Sequence, residues 1–180
     1  MALEVPGDVL SRLASDVEIE RHVAPAGLRW SDPARWHLTV AFLGEVEDTR
    51  LRELSERLGR AATRRRAPTL RVDGAGRFDG RVLWVRVVED DTTAGRLEGL
   101  AASVSAAARR TGIAQEKRPY RPHLTLARAP QPVDLRPVVA ALARTRSHPW
   151  TADRMHLVSS RLGPRPEHTT IRSFTLRGQG

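Results

Sequence analysis

Two short segments of the chain pair an imidazole with a hydroxyl at the same spacing. His37-Leu38-Thr39-Val40-Ala41 and His123-Leu124-Thr125-Leu126-Ala127 are identical at four of five positions and stand 86 residues apart. Side chains alternate across a strand, so His37 and Thr39 project from one face while Leu38 and Val40 face the core behind. His123 and Thr125 repeat that arrangement. If the two strands face each other, two imidazoles and two hydroxyls converge on one cleft. Such a set suits phosphoryl chemistry: a neutral imidazole takes a proton from water while an imidazolium gives one to the leaving oxygen. A reference pKa near 6.5 lets both protonation states exist near neutrality. The threonine hydroxyls can donate to the non-bridging oxygens where negative charge builds. Arg128, just beyond the second motif, can add a charge-assisted contact to the same group.

His-x-Thr alone is a weak signal; two matched copies in matched contexts are a strong one. A third match, His168-Thr169-Thr170, lacks the apolar residue between His and Thr that a half-buried strand requires, and reads as coincidence at a strand start. A metal centre is not expected, because no carboxylate or further histidine accompanies His37 or His123 at ligand spacing. His22, His148 and His156 sit in unrelated contexts, and His156 alternates with Met155 and Leu157 as a strand residue would. Ser159 and Ser160 lack the surroundings of a nucleophile elbow.

Each motif follows a helical stretch and precedes another. Pro6 opens a helix with Val9, Leu10, Leu13 and Val17 on one face, after a short strand at Leu3–Val5. Trp36–Leu43 reads as a buried strand ending at Gly44, and Asp48 as the cap of a helix carrying Leu51, Leu54 and Leu58. Thr69–Val72 and Val82–Val88 read as strands joined across a turn-rich segment from Asp73 to Arg81. Thr92 or Thr93 caps a helix with Leu97, Leu100, Ala101 and Val104 inward, closed by Gly112. His123–Arg128 is again a strand, after the rigid Arg118-Pro119-Tyr120-Arg121-Pro122. Asp134 then caps a helix with Leu135, Val138, Val139 and Leu142. Met155–Ser160 and Thr169–Leu176 close the chain around a loop at Gly163-Pro164-Arg165-Pro166. The duplicated unit implies one domain over residues 1–180, with two lobes each carrying one motif. The expected fold is α+β and bilobal: two antiparallel sheets face a central cleft about a pseudo-twofold axis, with helices outside.

Composition sets the bounds. At 180 residues and 40% hydrophobic, the chain can bury an ordinary core. With no cysteine, disulfides, thiolate metal sites and cysteine nucleophiles are excluded. Neither a membrane-length apolar run nor a signal peptide is visible, so a cytoplasmic monomer without membrane contact is expected. A net charge of +9 favours polyanionic partners. The 29 arginines beside one lysine also fit a GC-rich coding sequence, so the charge decides nothing by itself.

The paired motifs resemble the two-histidine (2H) phosphoesterase superfamily. Within it the chain is similar to the RNA 2′,3′-cyclic phosphodiesterases, also called 2′-5′ RNA ligases. Leu28-Arg29-Trp30, His37 to Glu45, Val82-Leu83-Trp84-Val85, Arg118 to Arg128 and Ser160-Arg161-Leu162 carry that closer likeness. The resemblance implies hydrolysis of 2′,3′-cyclic phosphate ends of RNA, or of nucleoside 2′,3′-cyclic phosphates, to 2′-phosphomonoesters. It implies no metal or other cofactor, and a reverse reaction that would join 2′-5′ ends. It further implies that His37 is the acid and His123 the base, with Thr39, Thr125 and Arg128 on the phosphate. Phe42 matches a position that can lie near the bound base, although its parity, opposite to His37 and Thr39, also fits core packing. Relatives open with a longer first strand, so the natural start is expected upstream of Met1. Two other readings stay open: a non-catalytic RNA-binding module, and the same chemistry on another cyclic nucleotide or a 2′-5′ linkage.

Overall fold

The computed structural model describes residues 1–115, 118–161 and 167–178. Helices form where apolar residues recur at three- and four-residue spacing, and each buries that stripe. Helix α1 (Gly7–Glu20) buries Val9, Leu13 and Val17, and α2 (Asp48–Thr63) buries Leu54, Leu58 and Ala62. In α3 (Arg96–Arg110) the buried stripe includes Leu97, Leu100, Val104 and Ala108, and the short α4 (Arg136–Ala141) buries Val138. The strands are β1 (Ala2–Leu3), β2 (Arg29–Trp30), β3 (Leu38–Thr39), β4 (Thr69–Phe78), β5 (Val82–Glu89) and β6 (His123–Arg128). They are followed by β7 (Trp150–Thr151), β8 (Arg154–Arg161) and β9 (Glu167–Thr175).

These strands make two antiparallel sheets, in an α+β fold. One has the order β3-β1-β8-β9 and the other β2-β6-β5-β4-β7. Neither sheet comes from one half of the chain: the first motif strand joins the C-terminal hairpin through β1, while the second pairs with β5. Each sheet therefore draws its strands from both halves of the chain. Alternation tells which face of a strand is buried, but not which strand it pairs with. Leu38, Leu124, Leu126, Val85 and Leu157 belong to one continuous core behind both sheets.

Several local expectations also change. The strand expected over Trp36–Leu43 is a ladder of only two residues, β3, at the edge of its sheet beside an equally short β1. Conversely, β4 runs straight through the segment expected to be turns. A bulge between Val72 and Ala75, with Gly74 at φ 78°, absorbs the irregularity, and the turn is Asp79-Gly80, both at positive φ. Thr92 and Thr93 do not cap α3. Gly95 (φ 83°) precedes that helix, and the Glu89 carboxylate accepts from the free amides of Arg96 and Leu97. Asp48 is the first helical residue of α2, preceded by Glu47 at the cap position. Asp134 does satisfy the first turn of α4, accepting from the Arg136 amide at 3.0 Å. The expected loop at Gly163–Pro166, with Leu162, lies outside the described residues.

Candidate active site

Strand β6 shows the expected alternation: Leu124 and Leu126 are fully buried, while His123 and Thr125 are half-buried on the opposite face. Arg128 would fall on the wrong face by that count. The ladder with β5 pairs Trp84 with Thr125 but Leu83 with Ala127, leaving Leu126 as an extra residue. This bulge shifts the alternation by one and brings Arg128 onto the face of His123 and Thr125. The direct cross-strand neighbour of Arg128 on β2 is Arg29. Like charges placed opposite one another repel, and among the described residues neither guanidinium has a carboxylate partner, so the pair suits an anion.

The two motif strands contact each other where the sheets meet. The Tyr120 hydroxyl, three residues before His123, donates to the Thr39 carbonyl at 3.0 Å and ties one motif to the other. Burial pushes this phenol well above its usual pKa, so it stays a neutral donor.

Both imidazoles are held in the same way. His37 Nδ1 lies 2.8 Å from the Arg35 carbonyl, and His123 Nδ1 lies 2.6 Å from the Arg121 carbonyl. A carbonyl only accepts, so each Nδ1 carries a proton and each Nε2 is left for other chemistry. Burial lowers the pKa of both rings, against a smaller opposing effect of these carbonyls. Positive charge on His168, the Met1 amino group and His123 adds to the lowering at His37; at His123 it is Arg128.

Three residues around His123 escaped the sequence reading of the site. Its ring meets Phe78 edge-on at 5.1 Å and lies 5.8 Å from Trp84, and those two rings are 5.0 Å apart. Trp84 lies flat over Gly76, its direct cross-strand partner, where a Cβ would come within 2.3 Å of the indole. The Asp79-Gly80 pair was the available signal for a hairpin; with Arg81 it makes a three-residue loop, which sets Phe78 opposite Val82 and Gly76 opposite Trp84. His168, set aside as coincidence, reaches the site too: its ring is 5.5 Å from that of His37. The requirement for an apolar middle residue fails there because β9 is an edge strand and Thr169 is exposed. Phe42 is 71% exposed rather than packed in the core, since β3 ends at Thr39 and its alternation does not extend that far. The other histidines are engaged: His148 with Asp8 at 3.0 Å, His22 with the Ile19 carbonyl, and His156 with Ser173 at 2.8 Å and Glu4 at 3.5 Å. No group of three potential metal-ligating side chains occurs among the described residues. Among them, too, no helix is long and apolar enough to cross a membrane.

A two-sheet cleft with one His-x-Thr strand from each side is thus in place, and residues 16–164 match the sequence profile of the 2′-5′ RNA ligase superfamily. The chain belongs to that superfamily. One relative is an RNA 2′,3′-cyclic phosphodiesterase of Thermus thermophilus, 31% identical over 99% of this chain and 89% of that protein. Another of the same name, from Geobacillus stearothermophilus, is 30% identical over 83% of this chain. The match spans only about half of that longer protein, 48%. Among solved structures, E. coli LigT complexed with 3′-AMP has a TM-score of 0.76 at 26% identity, covering 97% of this chain and 95% of LigT. Membership in the 2′-5′ RNA ligase superfamily places the chain among phosphoesterases.

Proposed function

We propose that this superfamily member hydrolyses 2′,3′-cyclic phosphate ends of RNA to 2′-phosphomonoesters, with His37 and His123 as its acid–base pair. The matched tethering of both Nδ1 atoms to carbonyls carries this reading, because it leaves two Nε2 atoms free on strands that meet across one cleft. The names of the relatives and the nucleotide bound by LigT supply the substrate class.

In the reaction, His123 Nε2 takes a proton from water as its oxygen bonds to phosphorus. The bond to the 3′-oxygen breaks, and His37 Nε2 returns a proton to that oxygen, leaving a 2′-phosphate and a 3′-hydroxyl. This is the order the resemblance implies. Burial lowers both rings most; the Arg128 cation beside His123 further favours a neutral ring there, and an incoming phosphate anion would favour a charged His37. Thr39, Thr125 and Arg128 donate to the non-bridging oxygens, with Arg29 beside them, and exposed Phe42 offers a stacking face for the terminal base. Two titrating groups set this reading apart from a binding module, which needs neither. Both proton transfers are supplied by side chains, so activity is expected to survive chelation.

The leaving group tests the order. The 3′-oxygen of a cyclic phosphate leaves as a poor alkoxide that needs a proton, whereas an activated phenolate does not. His37→Ala should therefore lose about 10²–10⁴-fold on cyclic-phosphate RNA and much less on an aryl phosphodiester, with His123→Ala impaired on both. The reverse pattern exchanges the roles. Equal losses for both variants on both substrates, or activity lost to chelator and restored by a divalent ion, would overturn the mechanism.

A further inference from the structure

Beside His37 the cleft opens into a cavity of about 610 Å³. Arg35, His37, His168 and Thr170 lie at its edge, and Leu10 and Val158 are among its apolar lining. The reaction proposed above engages His37 alone of these. His168 and Thr170 are two apart on β9, so they share a face, as His37 and Thr39 do on β3 and His123 and Thr125 on β6. The third His-x-Thr of the sequence therefore borders the cavity beside His37.

Its ring is anchored at the same nitrogen, but by a hydroxyl, which unlike a carbonyl can donate to Nδ1 and leave the proton on Nε2. His168 Nδ1 is engaged by the Ser160 hydroxyl at 3.1 Å, and among the described residues Nε2 has no partner. His156, in the same cavity, differs in having both nitrogens occupied, by Ser173 and by Glu4. Glu4 is the carboxylate lining this space, and that contact directs it toward His156 rather than His168. What remains is a free Nε2, the Thr170 hydroxyl and the Arg35 guanidinium around a partly apolar hollow. That is the composition of a site for a phosphodiester and its nucleoside, with donors for the phosphate and apolar surface for the base. The rings of His37 and His168 are 5.5 Å apart, close enough for neighbouring phosphates of one strand to reach one ring each.

We infer that His168 and Thr170 form a second phosphate subsite, which takes the phosphodiester immediately 5′ of the cyclic end, so that the protein acts on polynucleotide ends in preference to mononucleotides. The inference rests on the phosphodiesterase reading above. Phe42 lies past the far end of β3 from His37, so the terminal base and the rest of the strand leave the site in different directions.

The test compares uridine 2′,3′-cyclic phosphate with a uridine dinucleotide ending in the same group, and with that dinucleotide carrying an uncharged methylphosphonate linkage. The wild type should show at least a ten-fold higher kcat/KM on the charged dinucleotide, expressed mainly in KM, and should treat the uncharged one like the mononucleotide. In the His168→Ala/Thr170→Val double variant the ratio of dinucleotide to mononucleotide kcat/KM should fall toward one. Val158→Trp, directly opposite Thr170 on the neighbouring strand, fills the hollow and should lower the same ratio. Equal wild-type kcat/KM on mononucleotide and dinucleotide would overturn the subsite while leaving the phosphodiesterase reading intact. So would a double variant that loses the same factor on both. No hydrolysis of any of the three would overturn both.

Discussion

Replacing Gly76 by alanine is the most direct test of whether the aromatic wall beside His123 sets that residue's position. A Cβ at Gly76 would meet Trp84 Cη2 and Cζ2 at 2.3 Å and Cε2 at 2.8 Å. The indole would have to withdraw by about 1 Å to reach the 3.4 Å where ordinary contact begins. Such a shift would disturb its ring neighbours, Phe78 at 5.0 Å and His123 at 5.8 Å. Overpacking of this kind costs about 1–3 kcal/mol, and a misplacement of about 1 Å at a reacting group costs up to about 10²-fold in rate. Urea denaturation should therefore show a lowered midpoint at unchanged slope, and kcat on a cyclic-phosphate RNA should fall 10–100-fold, about the range such displacements give. Trp84→Leu in the Gly76→Ala background should recover stability, since the ring that clashes is gone. Gly7→Ala is the control: its Cβ meets nothing within 4 Å at the start of α1, so it should leave the rate unchanged and raise stability slightly rather than lower it. Wild-type stability and kcat in Gly76→Ala would refute the idea that Trp84 is fixed over that glycine and bears on His123.

Other expectations follow from the same geometry. Thr39→Ala and Thr125→Ala should fold normally, since both positions are only half-buried, yet lose about 2–4 kcal/mol of transition-state stabilisation each in kcat/KM. Arg128→Lys keeps the charge but not the planar fork, and should recover only part of the activity lost in Arg128→Ala. Tyr120→Phe removes the 3.0 Å bond to the Thr39 carbonyl, which should cost about 1 kcal/mol in denaturation and lower kcat, whereas unchanged kcat would show that this tie does not set the site. Burial lowers both histidines below the unfolded value of 6.5, so the unfolded chain binds more protons. Their contribution is present above pH 6.5 and declines as pH falls toward the folded values. The wild type should consequently lose more stability between pH 7.5 and 5 than a His37→Gln/His123→Gln variant, and the opposite difference would mean the sign is wrong.

Much of the candidate site was legible because strand alternation is a local rule. His37 with Thr39, and His123 with Thr125, needed only the apolar residues between them to be assigned a shared face. Arg128 was linked to the second motif for no geometric reason, because the bulge at Leu126 that brings it onto the face of His123 and Thr125 has no periodic signature. His168 was lost to a rule sound for half-buried strands and wrong at a sheet edge. The aromatic wall was within reach. Reading a hairpin at Asp79-Gly80, instead of merging it into a loop from Asp73, brings Gly76 within one rung of Trp84, and the third loop residue, Arg81, makes the two direct partners.

Strand pairing was beyond such reading, and it is what assembles the site. His37 precedes a two-residue strand that would be marginal alone. Three contacts from elsewhere in the chain place it: the ladder to β1, which is itself held by β8, the Tyr120 hydroxyl on the Thr39 carbonyl, and Gln115 on the Phe42 carbonyl at 3.2 Å. His123 instead rides on a six-residue strand, second from the edge of a five-stranded sheet and paired along its length with β5. The two halves of the proposed acid–base pair therefore differ in how they are secured. Local opening should release β3 before β6, because exchange follows the fewest and most exposed hydrogen bonds. Hydrogen exchange can see this directly: the Thr39 and Val40 amides should exchange faster than those of Leu124 and Leu126, and Tyr120→Phe should accelerate the first pair alone. Equal acceleration of both pairs would mean that the sheets open as one unit and that the tie has no local role.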